Sequence, residues 1–451
     1  MRWPSALVRA VRTANLKAQG ILPHVEAALA LERRPRAEID AVVSERLQAL
    51  VLHASRTVPW YAARFAEASI RPDQVRSIQD LVALPPLTKA DLRDHGEELV
   101  TGGRVDPAWM RNASGGSTGA PVVFHQDAEY QKRMLADQVR HVTWMGLPWW
   151  TPRAFVWGAD RDSVAHVGWR ARWRDAATGT RFLNTFQATD AEYAAFVREC
   201  AAERVPIVIG YASSLEHFAR AVEAERARGL AWRPRAVQSS AERLTPAIRS
   251  RVERALEAPV FDRYGSREMG NAAHECTAHA GLHVSMERVI LEFVRDGLPV
   301  PDGEEGEILV TVLDNRAEPL IRYAVGDVGR RLGGPACPCG RAYERIEITA
   351  GRSSDLFTTP AGRRVHGEYF THLFYGLDGV AAFRIVQETR ERLVLELVRG
   401  PGWRGDEVDV VLDGIRDLDP AFRTEVRMVE AIPVSASGKR SFTTSRVPVE
   451  W

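Results

Sequence analysis

Between residues 153 and 265 the chain alternates short apolar runs with stretches of helical spacing, without an internal sequence repeat. "RAFVWGA", "PIVIGY", "RAVQSS" and "PVFDRYG" are the apolar runs, and Asp190–Glu203, 213–228 and Pro246–Leu256 lie between them. Strands this short, joined by helices, predict a largely parallel sheet, because parallel neighbours need a long crossover and a helix supplies it. In a sheet of that kind the carboxyl ends of the strands face ligands.

After about residue 282 the texture changes. "HVSMERVILEFV", "GEILVTVL" and "GDVGRRL" are short β-rich pieces between Gly, Asp and Pro turns, which predicts a small barrel or an antiparallel sheet. From residue 351 the pattern is strand, turn, helix, strand. A chain of 451 residues exceeds the size at which one core keeps growing. The expected fold class is therefore α/β, with a large N-terminal domain (1–350) of mixed and parallel sheets with a small β-rich subdomain. A small α+β C-terminal domain (351–451) follows, the boundary falling within 351–356. Upstream, Ile39, Val42, Val43, Leu47, Leu50 and Val51 form a helical stripe within 36–55, and Thr88 can cap a helix from Lys89.

Charge is balanced, with Lys+Arg 60 against Asp+Glu 59, which excludes a broad nucleic-acid surface and leaves room for a local anion pocket. In "MRWPSALVRAVRTANLKAQG" basic residues interrupt the apolar positions, so neither a signal peptide nor a membrane span is expected. A helix packed on its own protein is the expectation there, with weak membrane-surface association as the alternative. Four cysteines do not make a disulfide scaffold, and a cytoplasmic location follows by default.

Five short segments carry chemistry. In "RNASGGSTGAPVVF" the run Ser114, Gly115, Gly116, Ser117, Thr118, Gly119 has almost no side-chain bulk, so a ligand can approach its peptide N–H groups while the hydroxyls donate. A phosphate site and a flexible turn are both consistent with it, and the spacing of a Walker loop is absent. In "FDRYGSREMG", Tyr264 offers an aromatic face for a purine and Glu268 a hard carboxylate for magnesium. An ordinary Tyr-Gly turn with a surface glutamate would read the same. In "LIRYAVGDVGRR" Asp327 ends a strand-like run and can accept from two ribose hydroxyls. Arg352 in "AGRSSDLF" and Lys439 in "PVSASGKRS" complete the set, although loop cations are usually just solvated.

In chain order these segments resemble the nucleotide motifs of the adenylate-forming superfamily of acyl-CoA synthetases, luciferases and peptide-synthetase adenylation domains. More narrowly, the chain is similar to the phenylacetate-CoA ligase-like branch and its relatives in polysaccharide gene clusters, from "VPWYAARF" to the last residues. The resemblance implies that the 114–119 loop cradles the β- and γ-phosphates of ATP, with Ser117 and Thr118 as hydroxyl donors. It places Ala241 and Glu242 of "SSAER" beside adenine, Tyr264 with Gly265 and Ser266 against the base, and Glu268 on magnesium. Asp327 and Arg352 would hold the ribose, and Lys439 the carboxylate and α-phosphate. It further implies a mobile C-terminal domain that turns about a hinge near Arg352 to admit a thiol. Two positions depart from the family: Ser354, followed by Asp355, stands at the usual acidic hinge, and Ala120 replaces a common Lys.

The chemistry suits these residue types. A carboxylate becomes an acylating agent once attack on the α-phosphorus of ATP gives it AMP as leaving group, and two anions must meet in that step. Cations and backbone donors meet that need without a protein nucleophile. The implied partners are a small carboxylic acid and an acyl acceptor, CoA first, without nucleic acid; oligomeric state stays open. An amide- or ester-forming ligase in natural-product or polysaccharide assembly is the alternative, and a non-catalytic nucleotide-binding scaffold the alternative of another class. The acyl pocket of relatives would fall near Trp144, Trp157 and Tyr211, which suits an aryl or branched acid unless these rings merely pack.

Cysteine carries a separate signal. The "CPCG" knuckle, Cys337 and Cys339, with Cys276 and His283 of "HECTAHAGLH", makes a Cys3His set suited to closed tetrahedral zinc. His279 is the rival histidine, and unpaired thiols the alternative.

Overall fold

Of the first helices, the three over Leu22–Leu31, Arg36–Thr57 and Pro59–Glu67 begin without a side-chain cap, and the one over Lys89–Asp94 begins with one. The computed structural model describes every residue except 1–4, 114–121, 158–174, 176, 186–187, 351–355, 363, 368, 371–372, 375–376, 378, 401, 433–441 and 448–451. Helices α1 (Ser5–Ala18), α2 (Leu22–Leu31), α3 (Arg36–Thr57), α4 (Pro59–Glu67) and α5 (Lys89–Asp94) come first. Thr88 and Asp91 cap α5 reciprocally, side chain to backbone in both directions. On α3 the buried stripe is Ile39, Leu47, Leu50, Val51 and Ala54. In α1, Val8 and Leu16 are buried and Arg12 donates to the Thr178 carbonyl at 2.8 Å, so this helix packs on its own protein. Among the described residues no helix is long and apolar enough to cross a membrane.

A hairpin follows, β1 (Met110–Ala113) against β2 (Val123–Gln126), and then α6 (Ala128–Trp144), N-capped by Asp127. The alternating region comes next: β3 (Arg153–Trp157), β4 (Thr180–Asn184), α7 (Asp190–Glu203), β5 (Ile207–Tyr211), α8 (Ala212–Ala227), β6 (Ala236–Ser240), α9 (Pro246–Leu256) and β7 (Val260–Ser266). Strands β4, β3, β5, β6 and β7 are parallel in that spatial order. Every residue of β5 and β6 is buried, because both faces are covered; that is why these strands read as unbroken apolar runs. Val208, Val237 and Val260 face α7–α9. Ile207, Ile209 and Phe261 face Val142, Met145 and Leu147 at the end of α6.

The β-rich pieces do not close a separate barrel. They are the antiparallel half of one twelve-stranded sheet: β8 (Gly270–Glu275), β9 (Leu282–Val284), β10 (Val289–Arg295), β11 (Leu298–Pro299), β12 (Gly306–Val312), β13 (Tyr323–Leu332) and β14 (Arg345–Ala350). The parallel half continues into it through the tight β7–β8 turn, and the spatial order runs β7-β8-β9-β14-β13-β12-β10-β11.

The C-terminal part has its own layers. β15 (Leu356–Thr358) pairs with β16 (Arg364–His366). A four-stranded sheet in the order β19-β18-β17-β20 is built from β17 (Val380–Gln387), β18 (Arg392–Arg399), β19 (Arg423–Met428) and β20 (Thr443–Ser445), with α10 (Glu407–Leu418). Phe357, Phe370, Ile385, Leu393, Leu395, Leu397, Val411 and Ile415 form an apolar cluster with no member from the large sheet.

Candidate functional site

Tyr264 stands near the end of β7 and Asp327 within β13, 63 residues apart, and the Tyr264 hydroxyl donates to Asp327 Oδ2 at 2.8 Å. Burial, reinforced by the Asp327 carboxylate, pushes the phenol far above its ordinary range, so it stays a donor. Asp327 does not end its strand. Leu309 pairs with Ala324 and Glu307 with Val328, so Val325, Gly326 and Asp327 bulge out opposite the single residue Ile308. Gly326 takes a φ of +86° there, which a side chain would resist. At Gly265 a Cβ would run into the Gly270 carbonyl, so the β7–β8 turn requires glycine for its closeness.

That turn carries Glu268, 7% exposed. Tyr130 of α6 donates to the Glu268 carbonyl at 3.4 Å, and Gln126 at the end of β2 donates to the Arg267 carbonyl at 2.8 Å. The Glu268 carboxylate has no arginine or lysine partner among the described residues. A carboxylate so buried and so unpaired suits a hard divalent cation. Ser114, Gly115, Gly116, Ser117, Thr118 and Gly119 lie outside the described residues, but their flanks do not: Ala113 pairs with Val123, and the Gln126 bond ties that hairpin to the Glu268 turn. Arg352 and Lys439, with Ser354 and Asp355, also lie outside them.

At the end of β6, Ala241 adopts a left-handed backbone with φ +65°. Glu242 turns its carboxylate to the start of α8, where Oε2 accepts from the Ser213 amide at 2.8 Å. The Ser266 hydroxyl is buried and finds no hydrogen-bond partner among the described residues. Trp144 is packed in the interior: it is 1% exposed, donates to Glu32 Oε2 at 2.7 Å and has the guanidinium carbons of Arg140 and Arg341 at 5.0 and 5.1 Å from its ring centroid. Trp157 and Tyr211 do meet at adjacent strand ends, ring centroids 4.3 Å apart.

Sequence reading passed over Arg322. It is fully buried, pairs with Glu292 at 3.1 Å and donates to the carbonyls of Leu81, Val82 and Leu84, which fixes the chain just before Tyr323 and Asp327. The available signal was a charged residue inside the apolar run "LIRYAV".

Cys276, His283, Cys337 and Cys339 bring their donor atoms within 4.8 Å of one another. Cys276 Sγ lies 3.6 Å from Cys337 Sγ, and Cys339 Sγ 3.3 Å from His283 Nε2. His279 instead places Nδ1 3.2 Å from Glu275 Oε2, so the histidine of the group is His283. Three sulfurs and one imidazole at this spacing fit a four-coordinate soft-metal site with no open position. The remaining cysteine, Cys200, is buried in α7, where burial pushes its thiol far up and leaves it inert.

Comparison with known proteins bears on the whole chain. A family described as "CapK C-terminal domain" matches residues 357–446. Phenylacetate-coenzyme A ligase of Escherichia coli (strain K12) is 29% identical over 328 residues, 71% of this chain and 72% of that protein. Protein CapK of Staphylococcus aureus is 22% identical over 381 residues, 82% of this chain and 81% of that one. Among solved structures, 2-hydroxyisobutyryl-CoA ligase in the postadenylation state with 2-HIB-AMP superposes with a TM-score of 0.69 at 20% identity, covering 92% of this chain and 91% of that one.

Proposed function

Since this chain belongs to the adenylate-forming superfamily, in its phenylacetate-CoA ligase-like branch, we propose that it activates a small organic acid with ATP and passes the acyl group to coenzyme A. The carboxylate oxygen attacks the α-phosphorus, pyrophosphate departs, and the CoA thiol then displaces AMP. The observation that carries this reading is the Tyr264–Asp327 hydrogen bond beside Glu268, which has no arginine or lysine partner among the described residues. An aromatic face, a diol acceptor and a cation-seeking carboxylate converge there from two halves of one sheet.

In this reading Tyr264, with Gly265 and Ser266, and the 241–242 turn take the base. Asp327 and Arg352 take the ribose, and the 114–119 loop the outer phosphates. Glu268 would hold magnesium, which when bound offsets phosphate charge. Residues 351–451 act as a small mobile domain bringing Lys439 to the α-phosphate and reacting carboxylate. The Cys3His group would hold zinc as a staple between β9 and the 337–339 knuckle, outside the chemistry. None of the four cysteines forms a disulfide and three gather in the Cys3His group, in keeping with a cytoplasmic setting. A second reading is transfer to an amine, a sugar or a carrier thiol, which would use the same first step.

Exchange of labelled pyrophosphate into ATP across a panel of acids tests the first step, and the mass of the product formed with CoA, amines or amino sugars identifies the acceptor. Lys439→Ala is expected to lower exchange by about three orders of magnitude, while thioester formation from a supplied acyl-adenylate survives. ATP binding without exchange on any acid would leave a nucleotide-binding scaffold in its place.

A further inference from the structure

Four adjacent parallel strands end in one row. Tyr211 is in register with Ser240, Ser240 with Arg263, and Trp157 follows the Val156–Gly210 pair, so Trp157, Tyr211, Ser240 and Arg263 share one face at the carboxyl ends of β3, β5, β6 and β7. Successive strand residues point to opposite faces. Arg263 therefore faces away from Tyr264, on the side where α6 covers the sheet.

The Arg263 guanidinium donates through Nε and Nη2 to the Ser240 hydroxyl, at 2.9 and 2.5 Å, and lies 5.9 Å from the Trp157 ring. Among the described residues no carboxylate pairs with it, and Nη1 makes no hydrogen bond. The neighbouring Asp262 carboxylate turns to the Arg263 backbone N–H at 2.9 Å. Burial, with Glu275 nearby, raises the Asp262 carboxyl to about 7, and burial lowers Arg263 to about 10, which leaves the guanidinium charged at neutral pH. The half-buried guanidinium has only the Asp262 carboxyl, itself raised to about 7, acting on it as a counter-charge, so an anionic ligand would improve its balance.

We propose that Arg263 selects the acid: the substrate carries, besides the carboxylate that reacts, a second anionic group that lies against the guanidinium between Ser240 and the Trp157–Tyr211 rings. The inference rests on the adenylation reading and narrows the acid from the aryl or branched monoacid that the rings alone suggest. Arg263 takes no part in bond making; it orients the far end of the acid.

The test uses matched pairs, glutarate against valerate and phthalate against benzoate, with the full-length protein and its Arg263→Met and Arg263→Lys variants. Calorimetry reads binding, and pyrophosphate exchange reads turnover. The wild type is expected to bind each dianion about tenfold or more tightly than its neutral-tailed partner. Arg263→Met should bring that ratio to one, and Arg263→Lys, which keeps the charge and controls for folding, should retain part of it. A ratio of one in the wild type, or an undiminished ratio in Arg263→Met, overturns the proposal. A preserved binding preference without exchange on any acid removes the adenylation reading and keeps the anion site. Equal binding and equal exchange for both members of each pair does the reverse.

Discussion

Two polar regions border α6, and they treat charge in opposite ways. Beneath the helix, Arg140 is wholly buried and paired: it meets Asp137 Oδ1 at 2.5 Å, Glu287 Oε1 at 2.6 Å, the Tyr343 hydroxyl at 2.9 Å and the Ser285 hydroxyl at 3.0 Å, its Nε alone finding no partner among the described residues. Arg288 beside it meets Asp314 at 2.6 Å and Asp137 at 3.3 Å. At the strand ends, the half-buried Arg263 and the buried Glu268 make no ion pair among the described residues. Paired buried charges join elements that are distant in sequence, whereas unpaired ones are held ready for something that arrives.

The contrast is most directly broken at Asp137. Asp137→Ala would leave Arg140 and Arg288 short of a shared counter-charge and should cost about 3–5 kcal/mol of folding stability in urea titration; a loss under about 1 kcal/mol would place the cluster with ordinary surface pairs. Glu268→Gln sharpens the other side. It should lower pyrophosphate exchange about a hundredfold or more and weaken its magnesium dependence, with a melting temperature close to that of the wild type. Unchanged exchange would show that the unpaired carboxylate serves the fold. The smallest effect is expected at the metal group, which lies further along the same strand row, His274 being in register with His283. Protein purified without chelator should contain about one zinc per chain, and Cys337→Ser should carry less than about half an equivalent and melt about 5 °C lower. An unmodified chain without metal would mark the cysteines as plain buried thiols.

Much of the scaffold could be read locally. Asp190–Glu203 and Pro246–Leu256 have the bounds their spacing predicts, because Thr189 and Thr245 cap them in sequence. The run "PIVIGY" already said that β5 is covered on both faces. The metal group was legible for a similar reason, since a Cys-Pro-Cys-Gly knuckle has few other uses, although the choice between His283 and His279 needed distances. β4 escaped notice because its "TRFLN" is neither purely apolar nor alternating.

What sequence alone determined is therefore what near neighbours decide: helix ends, buried runs, the identity of the residues able to meet phosphate, base or metal. Tertiary structure decided which of them meet. Asp327 reaches Tyr264 because β13 bulges out opposite a single residue of β12, Trp144 sinks into an ionic core, and Arg263 stands beside Trp157 because parallel strands distant in the chain end in register. Those outcomes depend on sheet order and register, which long-range pairing sets and no short stretch of sequence contains.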